Sequence, residues 1–245
     1  MHTLPTGAMA MIFAAGLGTR LKPFTDHHPK ALALVNGKPL LQRNIEYLKQ
    51  FGIRDFVINV HHFADQIIQF LNDHHQFGCT IQISNEQPEP LETGGGLKHA
   101  GYLLNTRQPF VVMNADILTN LDINRLYTAH IQSRMLATLA ITHRVSSRYL
   151  LYDGQNRLVG WKNTQTEETR MSINHPHPIM GSFSGIQVID PLLLGKINRT
   201  GKFSIMEVYL ELAKSGLIQV FDHSGDVVID VGKPDAISKA EQIFL

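Results

Sequence analysis

The chain has 245 residues, of which 43% are hydrophobic and 18% are charged, and its net charge of +1 comes from 22 basic and 21 acidic residues. Such a composition is typical of a globular protein, and the balanced charge argues against nucleic acid as a partner. No apolar run reaches the roughly 20 residues of a membrane span, so we expect no membrane partner either. The single cysteine, Cys79, excludes an intrachain disulfide and fits a cytoplasmic location.

The first eight residues lack the basic and apolar regions of a signal peptide. We therefore expect residues 1–8 to be an N-terminal extension and residues 9–245 to form one domain, since the chain shows no internal repeat or linker. At this length we expect no additional acetyltransferase domain. The sequence leaves open whether the protein is a monomer or a homodimer.

The first half of the chain alternates between predicted strands and predicted helices. An apolar run at 10–15 predicts a strand that is buried on both faces, and the leucine and isoleucine spacing between 39 and 50 predicts a helix. Further strands are predicted at 55–60, 79–84 and 109–114, and further helices at 64–71 and 94–104. This alternation indicates a parallel sheet with helices on both faces, whose ligands bind beyond the carboxyl ends of the strands.

The second half of the chain is richer in predicted strands. The pattern predicts a strand at 137–142, a hairpin at 149–163 with its turn at 153–156, a polar loop or ragged hairpin at 164–178, a strand at 183–189, a helix at 204–215, a strand at 226–231 and a closing helix at 235–244. We therefore expect a smaller β-rich part attached to the parallel sheet.

A glycine-rich loop directly follows the first predicted strand. Gly16 and Gly18 would let backbone N–H groups approach a polyphosphate, because no Cβ intervenes. Arg20 supplies a fork of donors suited to phosphate oxygens, and Lys30 would place a second cation near the same loop. Taken alone, the segment is also compatible with a tight strand-to-helix turn.

Three consecutive motifs give this loop a context. Residues 14–23 read Ala-Ala-Gly-Leu-Gly-Thr-Arg-Leu-Lys-Pro, residues 29–32 read Pro-Lys-Ala-Leu, and residues 35–40 read Val-Asn-Gly-Lys-Pro-Leu. Together they resemble the opening of the sugar nucleotidyltransferase family, and the resemblance runs from Met9 to the C-terminus. It implies an enzyme that joins a nucleoside triphosphate to a sugar 1-phosphate, with Mg²⁺ as cofactor and pyrophosphate as the second product. It also implies a single-domain, Rossmann-like (GT-A-like) α/β fold, with a mixed, mostly parallel sheet flanked by helices and a smaller β-rich sugar-binding part.

The resemblance assigns the nucleotide to two segments. In the first, Ala14 and Ala15 would lie against the nucleoside, Gly16, Gly18, Thr19 and Arg20 would wrap the triphosphate, and Lys30 would stabilise the reacting phosphates and contact the sugar phosphate. In the second, which spans 86–96, Glu86, Thr93, Gly94 and Gly95 would bind the base, with the glycines at a helix N-terminus. The alternative for Thr93 is a plain helix cap before Gly94.

The resemblance also assigns the metal ligands and the sugar contacts. Asp116 and Asp230 would bind Mg²⁺, although Ala115 and Lys233 stand where the family more often has glycine and threonine. Arg20, Lys30 and Asp116 would be the catalytic residues. Candidate sugar contacts are Asn114, Ser182, Ser184 and Gly185. Lys162, or Arg148 in its place, would bind the sugar phosphate, since the Glu-Lys pair of many relatives is missing.

Within the family, three segments most resemble the uridylyltransferases of bacterial cell-wall recycling that act on N-acetylmuramate 1-phosphate. These segments are Leu-Glu-Thr-Gly-Gly-Gly at 91–96, Ser-Phe-Ser-Gly-Ile at 182–186 and Asp-Val-Gly at 230–232. The expected substrates are therefore UTP and N-acetylmuramate 1-phosphate or a related hexose 1-phosphate. A mannose- or heptose-1-phosphate guanylyltransferase is the alternative within the family. A GT-A glycosyltransferase and a non-catalytic sugar-nucleotide sensor are the alternatives from other classes.

Overall fold

The structure, a computed structural model, describes residues 4–245, so the first three residues of the predicted extension lie outside the described part. The segment at 4–8 contacts the domain at its two ends: Ala8 is buried, and the N–H of Leu4 donates to Oδ1 of Asn124 (3.0 Å).

The strands of the described chain are β1 (Met9–Phe13), β2 (Leu34–Val35), β3 (Lys38–Pro39), β4 (Asp55–Val60), β5 (Thr80–Asn85), β6 (Phe110–Asn114), β7 (Ile117–Thr119), β8 (Ala137–Thr142), β9 (Arg148–Tyr152), β10 (Leu158–Asn163), β11 (Thr169–Met171), β12 (Ile179–Ile189), β13 (Ile218–Asp222) and β14 (Val228–Asp230). The α-helices are α1 (Leu40–Gln50), α2 (Ala64–Asp73), α3 (Glu92–Ala100), α4 (Ile123–Ser133), α5 (Ile205–Ala213) and α6 (Pro234–Ile243).

Over residues 4–245 the strands build one ten-stranded sheet and two small two-stranded sheets. Strand β1 lies inside the large sheet, parallel to β4 on one side and to β6 on the other, and β5 continues the parallel part. The long strand β12 is antiparallel to β6, β8 and β9, and so joins the parallel part to the β9–β11 extension. The sheet is thus mixed, with a mostly parallel centre and a β-rich side, which confirms the predicted fold class.

Two hydrophobic clusters cover the two faces of the sheet. On β1, Ala10 and Ile12 pack into the cluster that also contains the apolar sides of α1, α2 and α4. Met11, between them, points into the opposite cluster, where the apolar sides of α3 and α5 lie. Alternate side chains of a strand point to opposite faces, so a strand covered on both sides needs a continuous apolar run.

Most predicted elements of the chain are confirmed, with boundaries shifted by a few residues. The strands at 55–60 and 137–142 match the prediction, and the predicted hairpin is formed by β9 and β10. Of the two alternatives for 164–178, the ragged hairpin is confirmed, because β11 pairs antiparallel with β10 there. Helix α4 and strand β13 were not predicted, although Ile123, Leu126 and Tyr127 carry helical spacing.

In the described part of the chain, every helix is too short or too polar to cross a lipid bilayer.

Candidate active site

A cleft of about 490 Å³ opens at the carboxyl ends of β1, β4 and β6. The residues that line it come from the loop after β1, the segment at 30–31, the ends of β4 and β6, the segment at 86–93, Lys202 and Gly232. The place agrees with the general rule that ligands of parallel sheets bind beyond the strand ends. Most of the sequence-predicted nucleotide and catalytic residues line this one cleft: Ala14, Ala15, Gly16, Gly18, Thr19, Arg20, Lys30, Glu86, Thr93, Asn114 and Asp116.

The loop after β1 is shaped by two different glycines. Gly18 has a φ of +64°, and a Cβ on it would lie 2.8 Å from Cβ of Lys30 and from Cγ2 of Thr25. Only glycine therefore fits where the loop crosses the Lys30 segment, and the hydroxyl of Thr25 donates to the Gly18 carbonyl to hold this crossing (3.0 Å). Gly16 is exposed, and the position of its missing Cβ faces open space. Its backbone is accessible to a ligand in the cleft.

Asp116 and Asp230 lie side by side because their strands pair. Asp230 is opposite Ile117 in the ladder between β14 and β7, and the N–H of Val231 donates to the Asp116 carbonyl (2.8 Å). Oδ2 of Asp116 accepts a hydrogen bond from the ammonium of Lys30. The structure thus brings together two carboxylates from positions more than a hundred residues apart, with a lysine between them and the glycine loop.

The environment of Asp230 fits a cation. Its Oδ1 is buried and has no hydrogen-bond partner in the described structure. Burial raises the pKa of Asp230, the nearby carboxylate of Asp116 raises it further, and Lys30, Arg20 and Arg144 act in the opposite direction. A Cβ at position 232 would come within 2.7 Å of both Asp230 Oδ1 and an Arg20 guanidinium nitrogen, so Gly232 leaves this space free. Carboxylate oxygens are the ligands that Mg²⁺ prefers, and the donor set of Asp116 and Asp230 fits that ion.

Such a site would be completed by oxygens from outside the protein. Within residues 4–245, no group of three or more His, Cys, Asp or Glu side chains is placed to hold a metal. Mg²⁺ commonly takes only one or two carboxylates and fills its other positions with water and substrate phosphates. The geometry therefore fits an ion that arrives with, or binds beside, a polyphosphate.

A buried hydrogen-bond chain supports the other end of the cleft. Oε1 of Glu86 accepts from Nδ2 of Asn59 (2.6 Å), and Oδ1 of Asn59 accepts from the N–H of Ala14 (2.8 Å). The other Glu86 oxygen accepts from the N–H of Leu91 (2.8 Å). Glu86 is only 2% exposed, so its main visible role is to fix the strand ends and the 86–91 turn against each other.

Gly94 and Gly95 lie in the first turn of helix α3, which begins at Glu92, so their predicted place at a helix N-terminus is confirmed. Their backbone N–H groups, however, are not open to a nucleotide. The N–H groups of Gly94 and Gly95 both donate to the carbonyl of Phe203 (2.9 and 3.2 Å), so they are not free for a ligand. A Cβ on Gly94 would collide with the Phe203 ring (2.5 Å), and one on Gly95 with the Gly201 carbonyl (2.3 Å). These two glycines are buried and allow the 201–205 segment to pack closely on the helix.

The helix-cap alternative for Thr93 is also wrong. The N-cap of α3 is Leu91, without a side-chain capping bond. The hydroxyl of Thr93 instead accepts from the N–H of Ile205 (3.1 Å), while Thr93 and Glu92 line the cleft. Lys202 lies across from them, 4.0 Å from Glu92 in a weak ion pair. The segment at 201–205 thus borders the cleft through Lys202.

The predicted sugar contacts do not all reach the cleft. Gly185, with a φ of +74°, packs against Asn114, whose Nδ2 would be 2.9 Å from an added Cβ. Ser184 is fully buried, and its hydroxyl pairs with Nε2 of His223 (2.8 Å). Ser182 is 1% exposed and accepts from Nε of Arg144 (3.3 Å). The hydroxyls of Ser182 and Ser184 therefore serve protein partners rather than an open surface.

The two predicted sugar-phosphate cations also lie outside the cleft lining. Lys162 is in β10, opposite Tyr149 and Thr169 of the neighbouring strands. Arg148 is exposed at the start of β9.

Sequence reasoning missed Asn59, Lys202 and Arg144. Asn59 had a readable signal, since it is a polar residue near the carboxyl end of a strand whose other buried residues are all apolar. Lys202 and Arg144 are brought to their places by tertiary packing, and no local pattern marks them.

Comparison with solved structures establishes the architecture first. HddC from Yersinia pseudotuberculosis, solved in complex with GMP-PN, superimposes with a TM-score of 0.76 over 97% of this chain and 100% of that chain, at 23% identity. A UDP-glucose pyrophosphorylase complexed with UDP-glucose gives a TM-score of 0.77 at 16% identity, over 97% of this chain and 98% of that chain. At these identities the likeness shows the fold alone, a mixed, mostly parallel sheet flanked by helices.

Sequence comparison then establishes the family. The nucleotidyl transferase family profile matches residues 9–149, more than half of the chain, and the chain therefore belongs to that family. The N-acetylmuramate alpha-1-phosphate uridylyltransferase of Neisseria meningitidis serogroup B is 45% identical over 113 residues, which are 46% of this chain and 48% of that protein. A mannose-1-phosphate guanyltransferase of Aspergillus oryzae is 28% identical over 241 residues, 96% of this chain and 64% of that protein. The matches thus span about half of the uridylyltransferase and under two thirds of the guanyltransferase.

Proposed function

We propose that the protein is a sugar-1-phosphate nucleotidyltransferase, which couples a nucleoside triphosphate to a sugar 1-phosphate and releases pyrophosphate. One observation carries the proposal: a cleft at the strand ends combines an open glycine loop, Arg20, Lys30 and Asp116, with Asp230 next to Asp116, in a chain of this family. The glycine loop offers backbone to a polyphosphate, Lys30 contacts Asp116, and Arg20 lies beside Asp230 across Gly232. Such a combination suits phosphoryl chemistry, where positioning and charge neutralisation do most of the work.

The protein's part in the reaction follows from the positions of these groups. An oxygen of the sugar 1-phosphate would attack the α-phosphorus, and the bond from that phosphorus to the β-phosphate oxygen would break, so that pyrophosphate leaves. A phosphate monoester is already ionised near neutral pH, so no general base is required. Arg20 and Lys30 would balance the charge that builds on the phosphates, and the backbone at Gly16 and Gly18 would hold the triphosphate in line.

Asp116 and Asp230 are the residues that would hold Mg²⁺. When bound, the ion would neutralise charge on the reacting phosphates and restrict their orientation. Lys30, which contacts Asp116, would keep the first carboxylate in place.

UTP and N-acetylmuramate 1-phosphate, or a related hexose 1-phosphate, are the substrates we propose. The 45% identity over 113 residues to an N-acetylmuramate alpha-1-phosphate uridylyltransferase supports this choice. It would give the protein a role in cell-wall recycling in the cytoplasm, where nucleoside triphosphates are available. Guanylyl transfer to a mannose- or heptose-type 1-phosphate is the second candidate, supported by the match that covers 96% of the chain.

A matrix of substrates tests the proposal. Pyrophosphate release is measured with each of the four nucleoside triphosphates against a panel of sugar 1-phosphates in Mg²⁺, and each triphosphate without sugar serves as the hydrolysis control. We expect the highest rate with UTP and N-acetylmuramate 1-phosphate. Absence of sugar-dependent pyrophosphate from every pair would refute the transferase. Binding of a sugar nucleotide without turnover would then favour a sensor, and release of a nucleoside diphosphate from a sugar nucleotide would favour a glycosyltransferase.

A further inference from the structure

A second cavity lies at the same edge of the sheet as the cleft. Strands β6 and β8 both run antiparallel to β12, so they run parallel to each other, and their carboxyl ends share one edge. The turn after β8 therefore lies on the side of the sheet where Asn114 and Asp116 follow β6. A cavity of about 290 Å³ opens there, lined by Thr142, His143, Arg144, Ser224, Asp226 and Val228.

Arg144 is anchored in this cavity by neutral partners. Its Nε donates to the hydroxyl of Ser182 (3.3 Å), and one terminal nitrogen donates to the carbonyl of Phe183 (3.1 Å). Within residues 4–245, no carboxylate oxygen lies within 4.0 Å of the guanidinium to form an ion pair. A guanidinium has five N–H donors, so three of them remain, together with the full positive charge. The orientation of the Arg144 guanidinium is thus fixed by its two hydrogen bonds, while its positive charge is available to an anion.

The hydroxyl of Thr142 is a second open group in the same cavity. Thr142 is 5% exposed, and its Oγ1 is buried without a hydrogen-bond partner in the described structure. A buried hydroxyl without a partner costs free energy, and a ligand oxygen would supply the missing bond. The acid that lines the cavity, Asp226, already has a cationic partner, because the guanidinium of Arg125 lies 3.3 Å from its carboxylate.

The anchored arginine is connected to the reaction centre through β12. Gly185 follows Phe183 by two residues, and a Cβ on it would touch both Asn114 at the end of β6 and Ile117 at the start of β7. Arg144 is therefore linked to the end of β6 through a single strand, whereas Lys162 and Arg148 line neither this cavity nor the cleft.

We propose that Arg144 binds the phosphate of the sugar 1-phosphate, that Ser182 and the Phe183 carbonyl hold its guanidinium in place, and that Thr142 donates to the same substrate. This inference rests on the proposed function. It replaces Lys162 and Arg148 as the sugar-phosphate cation, and it gives the buried Ser182 a positioning role in place of a direct sugar contact.

Steady-state kinetics with separate KM values for the two substrates tests the assignment. Arg144→Gln is expected to raise KM for the sugar 1-phosphate ten- to a hundredfold, the range for a lost charge-assisted phosphate contact, and to change KM for the triphosphate less than threefold. Arg144→Lys should give an intermediate KM, since lysine keeps the charge but not the bidentate fork. Arg107→Gln, which removes an exposed arginine in a distant loop, is the matched control and should leave both KM values unchanged.

Three outcomes would overturn the inference. Arg144→Gln and Arg144→Lys could keep the wild-type KM for the sugar 1-phosphate. Both variants could raise the two KM values equally, which would indicate a merely structural arginine. Lys162→Gln or Arg148→Gln could raise the KM for the sugar 1-phosphate while the Arg144 variants leave it unchanged.

If circular dichroism shows that Arg144→Gln does not fold, the KM values of Arg144→Lys for the two substrates decide whether Arg144 binds the sugar phosphate. A wild-type protein that releases no sugar-dependent pyrophosphate would refute the proposed function as well, whereas an active wild type with normal variants would refute only the role of Arg144.

Discussion

Two glycine-rich segments border the candidate active site, and the structure uses them in opposite ways. In the loop after β1, Gly16 faces open space, and Gly18 adopts a left-handed backbone conformation where the loop passes over Lys30. In α3, the missing side chains of Gly94, Gly95 and Gly96 are replaced by protein atoms from Phe203, Gly201 and Glu86. The first segment exposes backbone to the cleft, and the second lets a helix, a buried carboxylate and a neighbouring segment pack together. A run of glycines therefore predicts close approach, but the partner is decided by tertiary structure.

The largest expected effect comes from the carboxylate beside the open loop. Asp116→Asn is expected to lower kcat about 10³-fold or more, because it removes a negative ligand from the proposed metal site and the partner of Lys30. Pyrophosphate release measures kcat, and the exposed helical Asp65→Asn is the matched control. Near-normal turnover in Asp116→Asn would show that the cleft beside the first glycine segment is not the reaction site.

The packed segment should respond to a methyl group by losing stability. A Cβ at Gly96 would lie 2.3 Å from Oε1 of Glu86 and 3.0 Å from Nδ2 of Asn59, both buried. Gly96→Ala is therefore expected to reduce the free energy of unfolding by about 1–3 kcal/mol, as overpacking does in other cores. Urea denaturation measures this change, and Gly195→Ala, where a Cβ meets nothing within 4 Å, serves as the control. An unchanged unfolding midpoint for Gly96→Ala would contradict the packing role.

The open loop should respond to the same change in binding rather than in stability. A Cβ on Gly16 meets no protein atom within 4 Å, so Gly16→Ala should change the free energy of unfolding by less than about 0.5 kcal/mol. If a triphosphate contacts the backbone there, KM for the triphosphate should rise about tenfold, equivalent to about 1.4 kcal/mol. Parallel urea and KM measurements on Gly16→Ala and Gly96→Ala would test the comparison directly. An unchanged KM for the triphosphate in Gly16→Ala would contradict the proposed contact between the triphosphate and the loop backbone.

The smallest expected effect is a gain in stability at Asp230. Burial and the neighbouring Asp116 raise the pKa of this carboxyl, which means that its charged form is disfavoured in the folded protein. Asp230→Asn should therefore raise the melting temperature without metal, by about 2–4 °C for each kcal/mol gained, while it weakens turnover. Differential scanning fluorimetry without Mg²⁺ measures the expected rise in melting temperature. The same measurement with Mg²⁺ tests the metal site, because Mg²⁺ should stabilise the wild type more than the variant. A lower melting temperature for Asp230→Asn without metal would contradict this account of Asp230.

Much of the fold could be predicted from the sequence, because its signals are local. The apolar runs at β1 and β4 follow from burial on both faces of the sheet, and Ser204, predicted to start a helix, caps α5. The start of α3 could not be predicted well, since three consecutive glycines disfavour a helix and only contacts with Phe203 and Glu86 compensate.

The candidate site was predictable to a similar extent. The glycine loop, Lys30 and the aspartates follow from motifs, and the structure brings them together, while their roles stay predictions. The surroundings of Arg144 depend on pairing between β8 and β12, and the buried state of Ser182 and Ser184 depends on partners 38 and 39 residues away. No periodicity in the sequence contains such information.

Nuclear magnetic resonance of ³¹P in the reaction mixture shows whether the protein transfers a nucleotidyl group to a sugar 1-phosphate. With Mg²⁺, UTP and N-acetylmuramate 1-phosphate, we predict two coupled diphosphate signals of a nucleoside diphosphate sugar, together with pyrophosphate in equal amount. An unchanged spectrum for every triphosphate and sugar 1-phosphate, or conversion of the triphosphate to a nucleoside diphosphate and orthophosphate, would contradict this transfer.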